Sequence, residues 1–398
     1  MSTQPPVLDP EATVRTSWAR VPLIAAALSL VVGVILLAFA WPAVTASAHD
    51  LPVGIVGTDE QVDQVTDAID EKADGAIELI RYDDRDAAVT AIDERQAYGA
   101  IVLGAEQTDA PEVLKATAAN SSVAQMLDGI AATLQTQIDA QILSAVEANI
   151  ATAQEKAAES VKAAIQAAVQ AALSGQTPEA PSTGDTAAIE IPTITVEVTD
   201  LAPFADADPR GAGLTAAMFP LVMGGMIGGI GLTLLVKGGG GRRAVGVVVY
   251  AAAAGIVLAG VLQGAFGALQ GDWWLNAAAI AVSIGAISGT ITGLAGLIGP
   301  AGVGVGAAFT MLVANPISAA TLPVEFIAAP WGAIGQHLPP GAAATLIRNL
   351  SYFPDADVSG AWTLLIVWAL VGLTLTAIDI PGRRLRAGVS RAEHPLTT

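Results

Sequence analysis

Side chains able to do catalysis or hold a metal are few in this chain, and they lie far apart. Its 398 residues include no cysteine and only three histidines, His49, His337 and His394. Without thiols, disulfides and thiolate zinc sites are excluded. Three imidazoles so distant in sequence do not have metal-ligand spacing, so no metal and no cofactor is expected. Neither Gly-x-Ser-x-Gly nor HExxH occurs. The glycine-rich KGGGGRR at 237–243 lacks the GxxxxGK[ST] pattern and reads as a tight turn. No catalytic residue is assigned, and the chain is not expected to be an enzyme.

The densest collection of polar and aromatic groups amid apolar sequence is NPISAATLPVEFIAAPWGAIGQHLPPGAAATLIRNLSYFP, residues 315–354. It carries Glu325, Trp331, His337, Arg348 and Tyr352 between prolines. Prolines at 323, 330, 339 and 340 rule out one straight helix, so 321–350 is expected to form a short re-entrant or surface helical pair. Two readings stay open. The five residues could form an interfacial cap at headgroup level, or a hinged outer gate over a translocation path.

A second pattern is small-residue spacing. Gly224 and Gly228, then Gly225 and Gly229, give overlapping GxxxG steps, and Gly285, Gly289 and Gly293 give another series. Such steps let helix backbones approach closely in lipid, for static packing or for an interface that moves or dimerises. Gln263 is expected to hydrogen-bond to a neighbouring helix. No acid or base sits in the middle of an apolar run, which argues against a proton relay.

The elements that must position these residues follow from hydropathy. Hydrophobic residues make up 53% and charged residues 14% of the chain, against about 25% charged in soluble domains. Long apolar runs account for the deficit. Six crossings are expected, at 21–41, 214–236, 244–266, 275–298, 302–320 and 361–380. The first follows a tail at 1–20, and an uncleaved helix is preferred to a signal peptide because the run exceeds an h-region. Residues 42–212 form one large domain, and 213–398 hold the other crossings and a C-terminal tail.

Basic residues border the crossings on one side. Arg15 and Arg20, then Lys237, Arg242 and Arg243, then Arg383, Arg384 and Arg386 would share one face. The alternate loops carry Asp272, Asp355 and Asp357, with Arg348 as the exception. This places both termini in the cytoplasm of a multi-pass plasma-membrane protein, with the large domain outside. The net charge of −19 offers no cationic face for nucleic acid.

Within 42–212, LPVGIVG (51–57), AIELIRY (76–82) and YGAIVLG (98–104) read as strands separated by short helices, giving an α/β layer with parallel pairing. An alanine-rich helical stretch follows at 111–174, either continuous or broken near 149–152. IEIPTITVEVTDL (189–201) alternates like a returning strand. The fold class expected is therefore a six-helix bundle, one helix plus five, with an extracellular α/β domain bearing a long helix.

This layout resembles the ABC-2-type membrane proteins, and within them the YhgE/Pip (phage infection protein) family. LPVGIVG directly after the first crossing is similar to that family's opening, as is DAAVTAIDERQAYGAIVLG (86–104) to its later step. ATLPVEFIAAPWGAIGQHLPPGAAATLIRNLSYF resembles the region before the last helix of ABC-2 permeases, with Leu338, Pro339, Arg348 and Tyr352 at matching positions. The resemblance implies an export-type subunit for a hydrophobic or amphipathic substrate, a homodimer in the lipid bilayer, and a separate ABC ATPase. It equally admits a non-transporting scaffold or secretion accessory, whose external helix would bind a partner. The cytoplasmic loops are short for an ATPase-coupling surface.

Overall fold

The computed structural model describes residues 20–73, 75–104, 109–174 and 193–378. The expected N-terminal tail up to 19, the Arg383–Arg386 cluster, the 175–188 loop and the first residues of the expected strand at 189–201 lie outside the described residues.

Helix α1 (Arg20–Thr45) leads into strand β1 (Leu51–Val56), whose Leu51, Val53 and Ile55 are buried on one face, while Gly54 is buried and Pro52 and Val56 are half-buried on the other. Cover on both faces is why the strand reads as a continuous apolar run. Helix α2 (Asp59–Ala73), strand β2 (Ile77–Arg81), helix α3 (Arg85–Asp93) and strand β3 (Gly99–Val102) follow. Both β2 and β3 pair with β1 in parallel, as right-handed strand–helix–strand crossovers favour. The start of α3 is fixed by Asp84, whose carboxylate accepts from the Ala87 amide at 2.8 Å.

The long helix begins later than the composition suggests. Residues Glu112–Lys115 form strand β4, antiparallel to β3, and helix α4 runs Ser121–Leu173. Two causes shift the boundary. Pro111 interrupts the helical pattern, and Asn120 caps the helix by accepting from the amides of Ser122 (2.9 Å) and Val123 (3.3 Å). Strand β5 (Glu197–Asp200) pairs in parallel with β4, completing the order β2-β1-β3-β4-β5. Helix α4 is unbroken through 149–152; its 53 residues make about 80 Å of helix. Only its first turns are buried, at Val123, Ala124, Leu127 and Ala131.

The remaining described residues are mostly helical. Helix α5 (Ala212–Leu235), helix α6 (Gly240–Ala259) with a π-helical continuation to Ala265, helix α7 (Trp273–Ile298) and helix α11 (Ser359–Ile378) are four helices long and apolar enough to cross a membrane. Helix α8 (Pro300–Phe309) continues as a π-helix to Ala314. The expected crossing at 302–320 is therefore shorter. Its helix ends when the Asn315 amide bonds the Thr310 carbonyl at 2.9 Å, just before Pro316. The apolar parts of α1 and α8, Ser29–Pro42 and Pro300–Ala314, fall below the length of the other four, against about 20 residues for a straight crossing.

Helix α7 is the hub. Ile280, Ile284, Ile287 and Ile291 are buried along it. A Cβ on Gly225 or Gly229 of α5 would fall 2.7 or 2.8 Å from Ile287 or Ile291. A Cβ on Gly228 would fall 2.1 Å from the Tyr250 ring of α6, and the Tyr250 hydroxyl donates to the Gly224 carbonyl at 2.7 Å. On the other side, α7 meets α11 backbone to backbone. Gly289 lies against Gly372, and a Cβ on Gly293 would fall 2.8 Å from the Gly372 carbonyl. Thr292 and Thr376, both fully buried, share a hydrogen bond of 2.8 Å across the same seam. Gly285 makes only an ordinary contact, 3.6 Å to Ala251, and Gly224 has open space where a side chain would be. Gln263 bonds across helices: the buried Asn276 side chain of α7 donates to it at 3.0 Å.

Candidate functional site

Between α8 and α11 the chain makes a 3-10 turn (Val324–Phe326), helix α9 (Trp331–Gln336) and helix α10 (Pro339–Tyr352). The prolines explain this punctuation. Pro339 and Pro340 occupy the first turn of α10, where missing amide hydrogens cost nothing. This segment and the loop 266–272 form the end of the bundle that meets the sheet.

The contact is a shared core. Phe353 and Ala356, just after α10, are buried in the same apolar cluster as Ala88, Ile92, Ala97 and Leu114 of the sheet domain. Tyr352 stacks edge-on against Phe204 with ring centres 5.9 Å apart. Its hydroxyl donates to the Ala268 carbonyl at 2.9 Å. The Phe326 carbonyl accepts from the Ser47 amide at 3.3 Å, and the Thr321 carbonyl from the Asn120 side chain at 3.4 Å.

At the middle of this joint sits a polar cluster of two cations, one phenol and one carboxylate. Arg95 follows α3 in the left-handed region, φ 66°. Its own amide bonds the Ile92 carbonyl at 3.0 Å, and the Gln96 amide bonds that of Ala91 at 2.7 Å. This is a helix C-terminal cap that usually takes glycine. The strained backbone turns the guanidinium over two rings, 5.2 Å from the centre of Tyr98 and 4.8 Å from that of Phe353. The Tyr98 hydroxyl donates to Glu325 Oε2 at 2.9 Å. Arg348, half-buried on α10, donates to the Ala320 carbonyl at 2.8 Å.

Electrostatics follow from burial. Desolvation pushes the Tyr98 phenol well above its ordinary value, and the neighbouring Glu325 charge adds to this. Tyr98 therefore remains a donor to Glu325 at any physiological pH. Burial lowers the Arg95 value, while Tyr98 and Glu325 favour its charged form. The Glu325 carboxylate thus favours the charge on Arg95, which also faces the like charge of Arg348, so removing Glu325 would leave Arg95 without its nearby negative charge.

Beside the joint lies a cleft of about 240 Å³ between α1, α5 and the turn-rich segment 315–327. Phe39, Met218, Phe219, Leu322 and Ile327 line it, together with Ala320. The Ala320 carbonyl is the group that Arg348 holds. The polar cluster therefore fixes one wall of the cleft.

Of the residues proposed as an outer gate, the fold brings Glu325, Arg348 and Tyr352 to the joint. Trp331 and His337 stand apart from it. Trp331 is exposed on α9. The His337 ring bonds the Ala333 carbonyl of its own helix at 2.9 Å, and its carbonyl accepts from Trp368 at 3.1 Å. Sequence reasoning missed Arg95, Tyr98 and Phe353. No motif flags Arg95, because an arginine in a position suited to glycine carries no local signature. Among the described residues no group of three metal-ligating side chains occurs. No protein-family model matches the sequence, and comparisons with curated proteins and with solved structures return no significant match.

Proposed function

We propose that this chain is a permease-like membrane subunit of ABC-2 type that exports a hydrophobic or amphipathic substrate. In this reading α1 and α8 cross the bilayer together with α5, α6, α7 and α11. Both termini are cytoplasmic and the sheet domain is outside. Two copies form the pore, and a separate ABC ATPase supplies energy.

One observation carries the reading: the sheet domain is seated on the segment 320–353, through Tyr98 and Glu325, beside an apolar cleft that the same segment walls. A domain clamped to a re-entrant pair is built to sense or set the position of that pair. The alternation of helices supports the sidedness. Lys237, Arg242 and Arg243 sit at the α5–α6 turn, whereas Asp272 and Asp355 sit at the sheet end. The test is substrate uptake into inverted vesicles with and without ATP, alongside co-purification. An ATP-dependent flux lost on deletion of the gene, with an ATPase in the purified complex, is the expected result. Neither an ATPase partner nor any change in flux would refute it.

A second reading is a non-transporting scaffold or secretion accessory. It is favoured by the distal part of α4. Leu143, Ile150, Val161, Ile165 and Val169 are exposed there, and a stripe of this kind suits helix-to-helix association. The chain has no cysteine, so Ile165→Cys gives a single reporter. A covalent dimer or a defined adduct on oxidation supports the scaffold, and a monomeric product at every position along the stripe counts against it.

A further inference from the structure

Helices α2 and α4 both lie on the sheet, with α2 against β2 and α4 against β4, yet they do not pack closely on each other. The space between them is a groove of about 510 Å³. Val65 and Ile69 of α2 face Ile130 and Leu134 of α4 across it, over Ile101 of β3. Gln61, Gln64, Gln137 and Gln141 form its rim, and among the described residues no charged side chain lines it. Neighbouring helices on a sheet ordinarily close to about 8–10 Å and bury such side chains on one another.

A second observation concerns Gly129, which lies in the interior of α4 on the groove wall. Glycine inside a helix costs about 0.5–1 kcal/mol relative to alanine. Close packing does not demand it here, because a Cβ built on Gly129 meets nothing within 4 Å. It stands in contrast to Gly225, Gly228, Gly229 and Gly293 of the bundle, where a Cβ would run into a partner helix. What glycine at 129 does is widen the groove.

Volume selects the occupant. The α4 wall from Met126 to Gln141 is about 22 Å long. A guest helix of that length and about 5 Å radius would displace roughly 1,700 Å³, far more than the groove holds. The volume falls instead within the range of small-molecule sites, about 300–1,000 Å³. An apolar wall with an uncharged rim takes hydrocarbon and leaves any charged head outside.

We propose that this groove binds a single long aliphatic chain, the tail of a lipid-like molecule. The site lies within the sheet domain, away from the cleft, and is read out by binding alone, so it stands or falls separately from the export reading. The test uses the full chain transferred from detergent to amphipol, irradiated with a diazirine analogue of palmitate, and mapped by peptide mass spectrometry. Adducts are expected on 61–69 and 126–141, displaced by excess hexadecanol. Gly129→Phe, which fills the groove, should cut that labelling at least ten-fold. Gly129→Ala, and Ala132→Phe on the exposed far side of α4, should change it by less than three-fold. Adducts confined to other regions, or a Gly129→Phe protein labelled like the parent, would overturn the proposal. If Gly129→Phe does not fold, the adduct map and hexadecanol competition on the unaltered protein decide in the same way.

Discussion

Tyr98 and Glu325 are 227 residues apart in sequence and share one hydrogen bond of 2.9 Å. Tyr98→Phe removes the donor and leaves the carboxylate with its guanidinium neighbours. A hydrogen bond to a charged group contributes about 1.5–3 kcal/mol, so thermal unfolding should show a loss of that order, with faster proteolysis near Ser47 and Phe204. Glu325→Ala should be worse, because Arg95 then loses the negative charge that favours its charged form. Glu112 gives a pH-dependent case. Its carboxylate accepts from Arg85 at 2.6 and 2.8 Å and from Thr199 at 2.6 Å. The Arg85 hydrogen bonds, helped by Thr199, hold its pKa below the ordinary 4.5 against a smaller opposing effect of burial. The folded state then binds fewer protons than the unfolded chain, so this stability is present above pH 4.5 and is lost as pH falls through the folded value. Glu112→Gln should flatten the acid limb of a stability–pH curve below 4.5; an unchanged limb would show that the pair does not couple to folding.

At the level of elements, α7 and α11 form the tightest seam. A Cβ on Gly372 would fall 2.4 Å from the Gly289 carbonyl carbon. The clash is with backbone, which cannot rotate away as a side chain can. Gly372→Leu should therefore force the helices apart, costing about 1–3 kcal/mol or more, and appear as lost monodispersity in size-exclusion and a lowered Tm. Gly224→Leu, with open space at that position, is the control and should behave like the parent. The GxxxG spacing was legible in the sequence, but its partners were not. Small residues announce a close approach without saying which helix approaches. The strand β4 was not legible for a related reason. Four residues, Glu112–Lys115, carry too short a pattern to outweigh the helix-forming sequence after them, and only pairing with β3 makes them a strand.

For the whole molecule, the sidedness in the proposed function can be read directly. The absence of cysteine makes each introduced thiol unique. Cysteines at Ile150 and Gly241 should react with a membrane-impermeant maleimide from opposite sides, Ile150 from outside intact cells and Gly241 only after permeabilisation. Equal accessibility of both would rule out the arrangement. Inhibiting motion at the joint is the functional counterpart. A disulfide introduced between the sheet domain and segment 321–327 should slow any transport cycle that needs the two to separate, with activity restored on reduction.

Apolar runs, their charged borders and the β1–β3 strand pattern are properties of local sequence. They depend on transfer free energy and side-chain periodicity, so the sequence alone determined a mainly helical chain with long apolar helices and a small α/β layer. What it could not determine was association between distant segments. Gly289 meets Gly372 only because the chain returns across 83 residues, and Arg95 meets Phe353 and Tyr98 meets Glu325 only because it returns across more than 200. Those encounters are set by packing geometry, in which the same side chain can suit many neighbours. The joint, the cleft beside it and the groove between α2 and α4 are accordingly decisions of the tertiary structure.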